Sequence, residues 1–125
     1  MKNKVLIVDD EERPRKHHRL ILEEDLPGMV ETLTAATLEE ANRLFDENKD
    51  DLILVVMDAC LEGSRPDTLP LVHRMRKEGF KGKIIANSSM PEYQQTLLNA
   101  GCDQASSGKN ELEDDIVEIV KNLLQ

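Results

Sequence analysis

Aromatic residues are scarce in this chain. Trp is absent, and Phe45, Phe80 and Tyr93 are the whole complement among 125 residues, so a core built from it has to be aliphatic. Cysteine is almost as scarce. Cys60 and Cys102 form no Cys-x-x-Cys pair and no zinc-ligand spacing, which suits a reducing cytosol. Long apolar runs are missing too. None approaches the roughly 18–20 residues that span a bilayer, and Met1-Lys2-Asn3-Lys4 leads into a short apolar run rather than a signal peptide. Basic residues are outnumbered, 16 against 25 acidic, for a formal charge of -9. Phosphate backbones need a basic surface, so nucleic acid is not expected as a direct partner. No internal repeat, linker or low-complexity tail interrupts the chain. What remains is a soluble, cytoplasmic protein without membrane contact, and 125 residues suit one domain with a sizeable core.

What is present starts with Leu52-Ile53-Leu54-Val55-Val56-Met57, six apolar residues running straight into Asp58. An unbroken run of this kind reads as a central parallel strand buried on both faces. A second run, Lys4-Val5-Leu6-Ile7-Val8, ends the same way, in Asp9-Asp10-Glu11. Two buried strands each deliver acid where they leave the sheet.

Between these runs the signals alternate. Glu12 to Asp25 reads as a helix with Pro14 in its first turn, stopped by Pro27-Gly28. Its Arg13, Arg15, Lys16, His17, His18 and Arg19 form a basic patch, either a solvated face or a docking surface for an acidic or phosphorylated partner. His17, His18 and His73 are expected at the surface. Met29 to Ala35 alternates as a partly exposed strand. Thr37-Leu38-Glu39-Glu40 is a capping box that opens a helix reaching about Asn48. A loop from Ala59 to Asp67 follows the central strand, then a helix from Thr68 to Glu78 burying Leu69, Val72 and Met75. Lys83 to Asn87 is a fourth strand. Ser89, Pro91 and Glu92 supply the cap, first-turn proline and capping-box acid of a helix that runs to Ala100 and stops at Gly101. Cys102 to Ser107 is a weak, polar fifth strand. Asn110 caps a last helix with Leu112, Ile116, Ile119, Val120 and Leu123 on one stripe. Strand and helix thus alternate five times, which predicts an α/β, (βα)5 flavodoxin-like fold with a parallel sheet in the order 2-1-3-4-5 and helices on both faces. Strands one and three are then neighbours, and Asp9, Asp10 and Asp58 share one pocket.

Three crowded carboxylates repel and need a cation or proton to coexist. Hard oxygen ligands without His or thiolate favour Mg2+, which readily bridges to a phosphate. An aspartate carboxylate can also be a nucleophile and form an aspartyl-phosphate. Ser88 at the end of strand four can offer a hydroxyl, and Lys109 beyond strand five a cation, which is what phosphoryl transfer requires by way of positioning and charge neutralisation. The bland readings are a turn-capping Asp58, a helix-capping Asp9, and one of Ser88 and Ser89 used as a cap.

Val8-Asp9-Asp10-Glu11, the apolar run into Asp58, Ile84-Ile85-Ala86-Asn87-Ser88-Ser89 and Ala100-Gly101-Cys102-Asp103 together resemble the receiver domains of two-component response regulators. The resemblance covers the whole chain, 1–125, as a single receiver domain without an output domain. It implies that Asp58 accepts a phosphoryl group from a histidine kinase or histidine phosphotransfer protein. It further implies that Asp10, Asp58 and the backbone carbonyl of Cys60 hold Mg2+ with Asp9 assisting through water, that Ser88 tracks the phosphate oxygens, and that Lys109 pairs with them. A downstream protein would be engaged through the fourth and fifth helices, by a monomer or a weak homodimer formed there. The chain departs from the family pattern in places. Glu62 stands where the loop after Asp58 usually carries proline, and that loop is about two residues longer than usual. Lys109 falls one place late after Gly101, and Asn110 replaces a proline. Ala105 and Ser106 stand where an aromatic residue usually signals phosphorylation.

The competing reading is a non-phosphorylated pseudo-receiver kept as an interaction module. The intact Asp9, Asp10, Asp58, Ser88 and Lys109 set argues against it; the altered loops argue for it. An aspartate-nucleophile phosphatase is rejected, since such enzymes place a second aspartate two residues past the nucleophile, where this chain has Cys60. The expected protein is therefore not an enzyme beyond accepting, and losing, its own phosphoryl group.

Overall fold

The computed structural model describes residues 3–106 and 112–125. Strand and helix alternate along it as β1 (Lys4–Val8), α1 (Glu12–Asp25), β2 (Glu31–Ala35), α2 (Leu38–Asn48), β3 (Leu52–Met57), α3 (Leu69–Lys77), β4 (Lys83–Ala86), α4 (Pro91–Ala100), β5 (Gln104–Ala105) and α5 (Leu112–Leu124). Every pairing is parallel, and the order across the sheet is β2-β1-β3-β4-β5, as the alternating pattern predicts. No helix among the described residues is long and apolar enough to cross a membrane.

The apolar runs of β1, β3 and β4 carry no polar alternation because each strand feeds two cores. Leu6, Val8, Val55, Met57 and Ile84 pack on one face with Ala41, Phe45, Val72, Met75 and Leu97 from α2, α3 and α4. The alternate residues Val5, Ile7, Leu54, Val56 and Ile85 pack on the other with Leu22 from α1, Leu26 just beyond it, and Leu112, Ile116 and Val120 from α5. Period-two geometry sends neighbours to opposite faces, so one continuous run serves both layers.

Local signals explain most element ends. Thr37 Oγ1 accepts from Glu40 N at 3.1 Å, while Glu40 Oε1 accepts from Ala36 N at 3.0 Å. Together they satisfy two donors at the head of α2. Gly101 follows α4 with φ of 133°, and a Cβ there would meet Arg76 Cγ at 2.7 Å, so the position requires glycine. That close approach lets Arg76 donate to Gly101 O at 2.8 Å and Asp103 Oδ2 at 2.7 Å, tying α3 to the start of β5.

Several sequence expectations are corrected. Met29 and Val30 lie outside β2, and Met29 is exposed. β5 has two residues rather than six among the described ones. The α4 cap is Met90, not Ser89, and no side chain caps the helix; the Met90 N–H instead donates to Ser88 Oγ at 3.1 Å. On α3, Leu71 is buried beside Val72 and Met75, while Leu69 is only partly buried and packs against the same core. His18 is fully buried rather than exposed: it lies four residues from both Pro14 and Leu22, on the inward stripe of α1. Asn110 and its expected cap fall outside the described residues.

Neither cysteine is in a disulfide. Burial pushes the Cys102 thiol up to about 12. Iodoacetamide at pH 8 is expected to label Cys60, which is partly exposed, and to spare Cys102, read by peptide mass after digestion. The folded state holds Cys102 as a thiol while the unfolded chain ionises near pH 9. Its stabilising contribution is thus complete below that pH and falls away towards pH 12. A Cys102→Ala variant should lack that part of the alkaline loss in urea melts.

Candidate functional site

The acidic residues lie where the ladder overruns the strands. Asp9 N donates to Ala35 O at 3.0 Å, Asp58 N to Val8 O at 2.9 Å, Asn87 N to Met57 O at 2.8 Å and Ser106 N to Ala86 O at 3.0 Å. β1, β3, β4 and β5 are therefore each followed by a polar residue at the same edge of the sheet, the carboxyl edge where open α/β folds bind ligands. Asp9, Asp10 and Asp58 each present an oxygen within 4.8 Å of the others. Asp9 and Asp58 are buried, at 1% and 4% exposure, while Asp10 faces solvent.

Asp9 is fixed from both ends. Its Oδ1 accepts from Glu11 N at 2.9 Å, and its carbonyl accepts from Arg15 Nη1 at 2.8 Å. So one member of the α1 basic patch faces inward and braces the acidic corner. Ser88 is buried beside the cluster's strand, and its Oγ accepts from Met90 N. Gln94 Nε2, from α4, donates to Ser88 O and to Ser106 O, and Ser106 Oγ donates to Asn87 Oδ1 at 2.7 Å. The ends of β4 and β5 and the first turns of α4 are thus one network. Cys60 is partly exposed on the loop that leaves Asp58. Lys109 lies outside the described residues.

Sequence reading missed three groups in this region. Asp67 accepts from Leu61 N and Glu62 N, both at 2.7 Å. Thr68, fully buried, donates to Asp58 O at 2.7 Å and shares its hydroxyl with Ala59 O at 3.0 Å. Tyr93 Oη donates to Ser64 O at 2.7 Å, linking α4 to the same loop. Asp67-Thr68 just after Pro66 has the composition of a helix cap. Here neither side chain caps α3; both turn back to the loop.

No family model matches the sequence, and no curated protein does. Solved structures match it along nearly its whole length. A response regulator receiver protein from Pseudoalteromonas atlantica is 21% identical with a TM-score of 0.80, covering 97% of this chain and 96% of that one. The receiver domain of NtrX from Brucella abortus is 24% identical with a TM-score of 0.77, covering 96% and 97%. The response regulator TrrA from Thermotoga maritima, solved in complex with Mg(2+)-BeF, is 28% identical with a TM-score of 0.72, covering 97% and 98%. The fold of this chain is the receiver fold, and the resemblance read from its motifs points to the same proteins.

Proposed function

We propose that this chain is a phosphoacceptor receiver of two-component or phosphorelay signalling. The observation that carries the proposal is the meeting of Asp9, Asp10 and Asp58 at the carboxyl edge of a receiver fold, with Ser88 buried at the end of the adjoining strand. Three hard carboxylate donors within 4.8 Å fit a magnesium ion. Asp10, Asp58 and the Cys60 carbonyl would hold it, with Asp9 assisting through water. When bound, Mg2+ would neutralise charge on the carboxylates and on the phosphoryl oxygens.

In this reading a carboxylate oxygen of Asp58 attacks the phosphorus of a phosphohistidine. The new O–P bond replaces the N–P bond, whose electron pair returns to the imidazole nitrogen. Burial of Asp58 keeps bulk water from the acyl phosphate. Ser88 Oγ already accepts from Met90 N, which leaves its proton to donate to a phosphoryl oxygen. Lys109 would pair with another. The donor is a histidine kinase or histidine phosphotransfer protein. Output is a change in affinity for a downstream protein docked on α4 and α5, which follows if phosphorylation favours one of two surface arrangements. The chain performs no chemistry on a separate substrate, and its place of action is the cytoplasm.

Intact mass after incubation with acetyl phosphate tests this. A gain of one phosphoryl mass is expected with Mg2+, lost on chelation and absent in Asp58→Asn. No gain, together with no Mg2+ binding in a titration, would instead leave a pseudo-receiver that works as an interaction module.

A further inference from the structure

The loop between β3 and α3 has no proline to stiffen it at position 62, yet five hydrogen bonds bracket the peptide of Cys60. On the near side, the Thr68 hydroxyl lies against Asp58 O and Ala59 O, and Thr68 N donates to Ala59 O at 3.2 Å. On the far side, the two Asp67 oxygens take one amide each, from Leu61 and Glu62. The carbonyls before Cys60 and the amides after it are therefore pinned by two consecutive residues at the head of α3. We infer that Asp67 and Thr68 are positioning residues that set the Cys60 carbonyl for a divalent cation at the Asp10–Asp58 corner. The inference rests on the phosphoacceptor reading above.

A buried hydroxyl shared between two carbonyls fixes the strand end against the helix, so its removal frees the direction of the next peptide. Asp67 is not one of the carboxylates that converge at the acidic corner; each of its oxygens instead accepts an amide at 2.7 Å, the short distance of a charge-assisted bond. Outer groups that orient metal ligands typically change affinity about 10–100-fold when removed. The clasp does for this longer loop what a rigid turn residue would do for a shorter one.

The test is titration with MgCl2 alone, by calorimetry, of the wild type, Asp67→Asn, Thr68→Val and Thr68→Ser, with the backbone carbonyl carbon of residue 60 followed by NMR. Thr68→Val removes the hydroxyl without changing charge, so it separates positioning from the loss of a nearby anion. Expected are an affinity about tenfold weaker for Asp67→Asn and Thr68→Val, with a displaced residue-60 carbonyl resonance, and near wild-type behaviour for Thr68→Ser. Folded Asp67→Asn and Thr68→Val proteins that bind Mg2+ within about twofold of the wild type would overturn the inference alone. A wild type that takes no Mg2+ would overturn the phosphoacceptor reading and the inference together. If Thr68→Val does not fold, Thr68→Ser decides for the hydroxyl: wild-type affinity supports the clasp, and tenfold weaker binding in a folded protein overturns it.

Discussion

Metal-free Asp58→Asn protein is expected to melt at a higher temperature than the wild type while losing phosphoryl acceptance completely. Asp58 and Asp9 are buried at 4% and 1% exposure, and their carboxylates lie with that of Asp10 inside a 4.8 Å cluster. Two unit charges at that separation repel by about 3 kcal/mol at an effective dielectric of 20. Exposure of Asp10 and screening reduce what is recovered, so a net gain of about 1–2 kcal/mol is expected. In a chain of this size that corresponds to roughly 3–8 °C. Mg2+ should reverse the order. A ligand at 100 times its Kd adds about 2.7 kcal/mol to the state that binds it, which is enough to lift the wild type past the mutant. Scanning calorimetry of both proteins, with EDTA and with saturating MgCl2, reads the crossing. A metal-free mutant that melts lower would mean that the hydrogen bonds of Asp58 outweigh the repulsion.

The largest loss of stability is expected from Phe45→Ala. Phe45 is fully buried between α2 and the sheet and meets Phe80 edge-on, with ring centroids 5.4 Å apart and planes at 87°. The Arg74 guanidinium lies 5.2 Å from the centroid of Phe45, held by Asp46 Oδ1 at 2.8 Å and Glu78 Oε2 at 2.7 Å. In a chain with two phenylalanines, this one ring fills space that several aliphatic side chains would otherwise share. Truncation of a buried phenylalanine costs about 3–5 kcal/mol, out of total stabilities near 5–15 kcal/mol. Urea denaturation should show the midpoint falling with little change in slope, and Phe45→Leu should recover most of the loss. A cost below about 1 kcal/mol would mean that α2 collapses onto the cavity and that the aromatic pair is dispensable.

Much of this architecture was legible because it rests on local rules. The apolar runs of β1 and β3, each ending in aspartate, put the acids at one edge once the strands pair side by side. The bounds of α1 agree with the span set by Pro14 and Pro27-Gly28, and α2 begins where Thr37 and Glu40 say it should. These elements are written in residues close enough in sequence to satisfy one another. His18 was also within reach, since its spacing from Pro14 and Leu22 is helical, but the surrounding charges masked the stripe.

Other features rest on contacts between distant parts of the chain. Ser89 has the chemistry of a cap, but α4 is capped at Met90, whose amide donates to Ser88 Oγ, and Gln94 ties that corner to Ser106. β5 is held to two residues by its pairing with Ile85 and Ala86 rather than by its own propensity. Asp67 and Thr68 look identical, in sequence, to residues that cap the helix they precede. Only the return of the loop against β3 brings the Asp58 and Ala59 carbonyls within reach of the Thr68 hydroxyl. Local patterning alone shows which strands are buried and which acids they deliver, and with the alternation of strand and helix it implies their order. Which polar side chains brace those acids depends on the folded chain, because a hydrogen bond forms with whichever partner folding brings within about 3 Å.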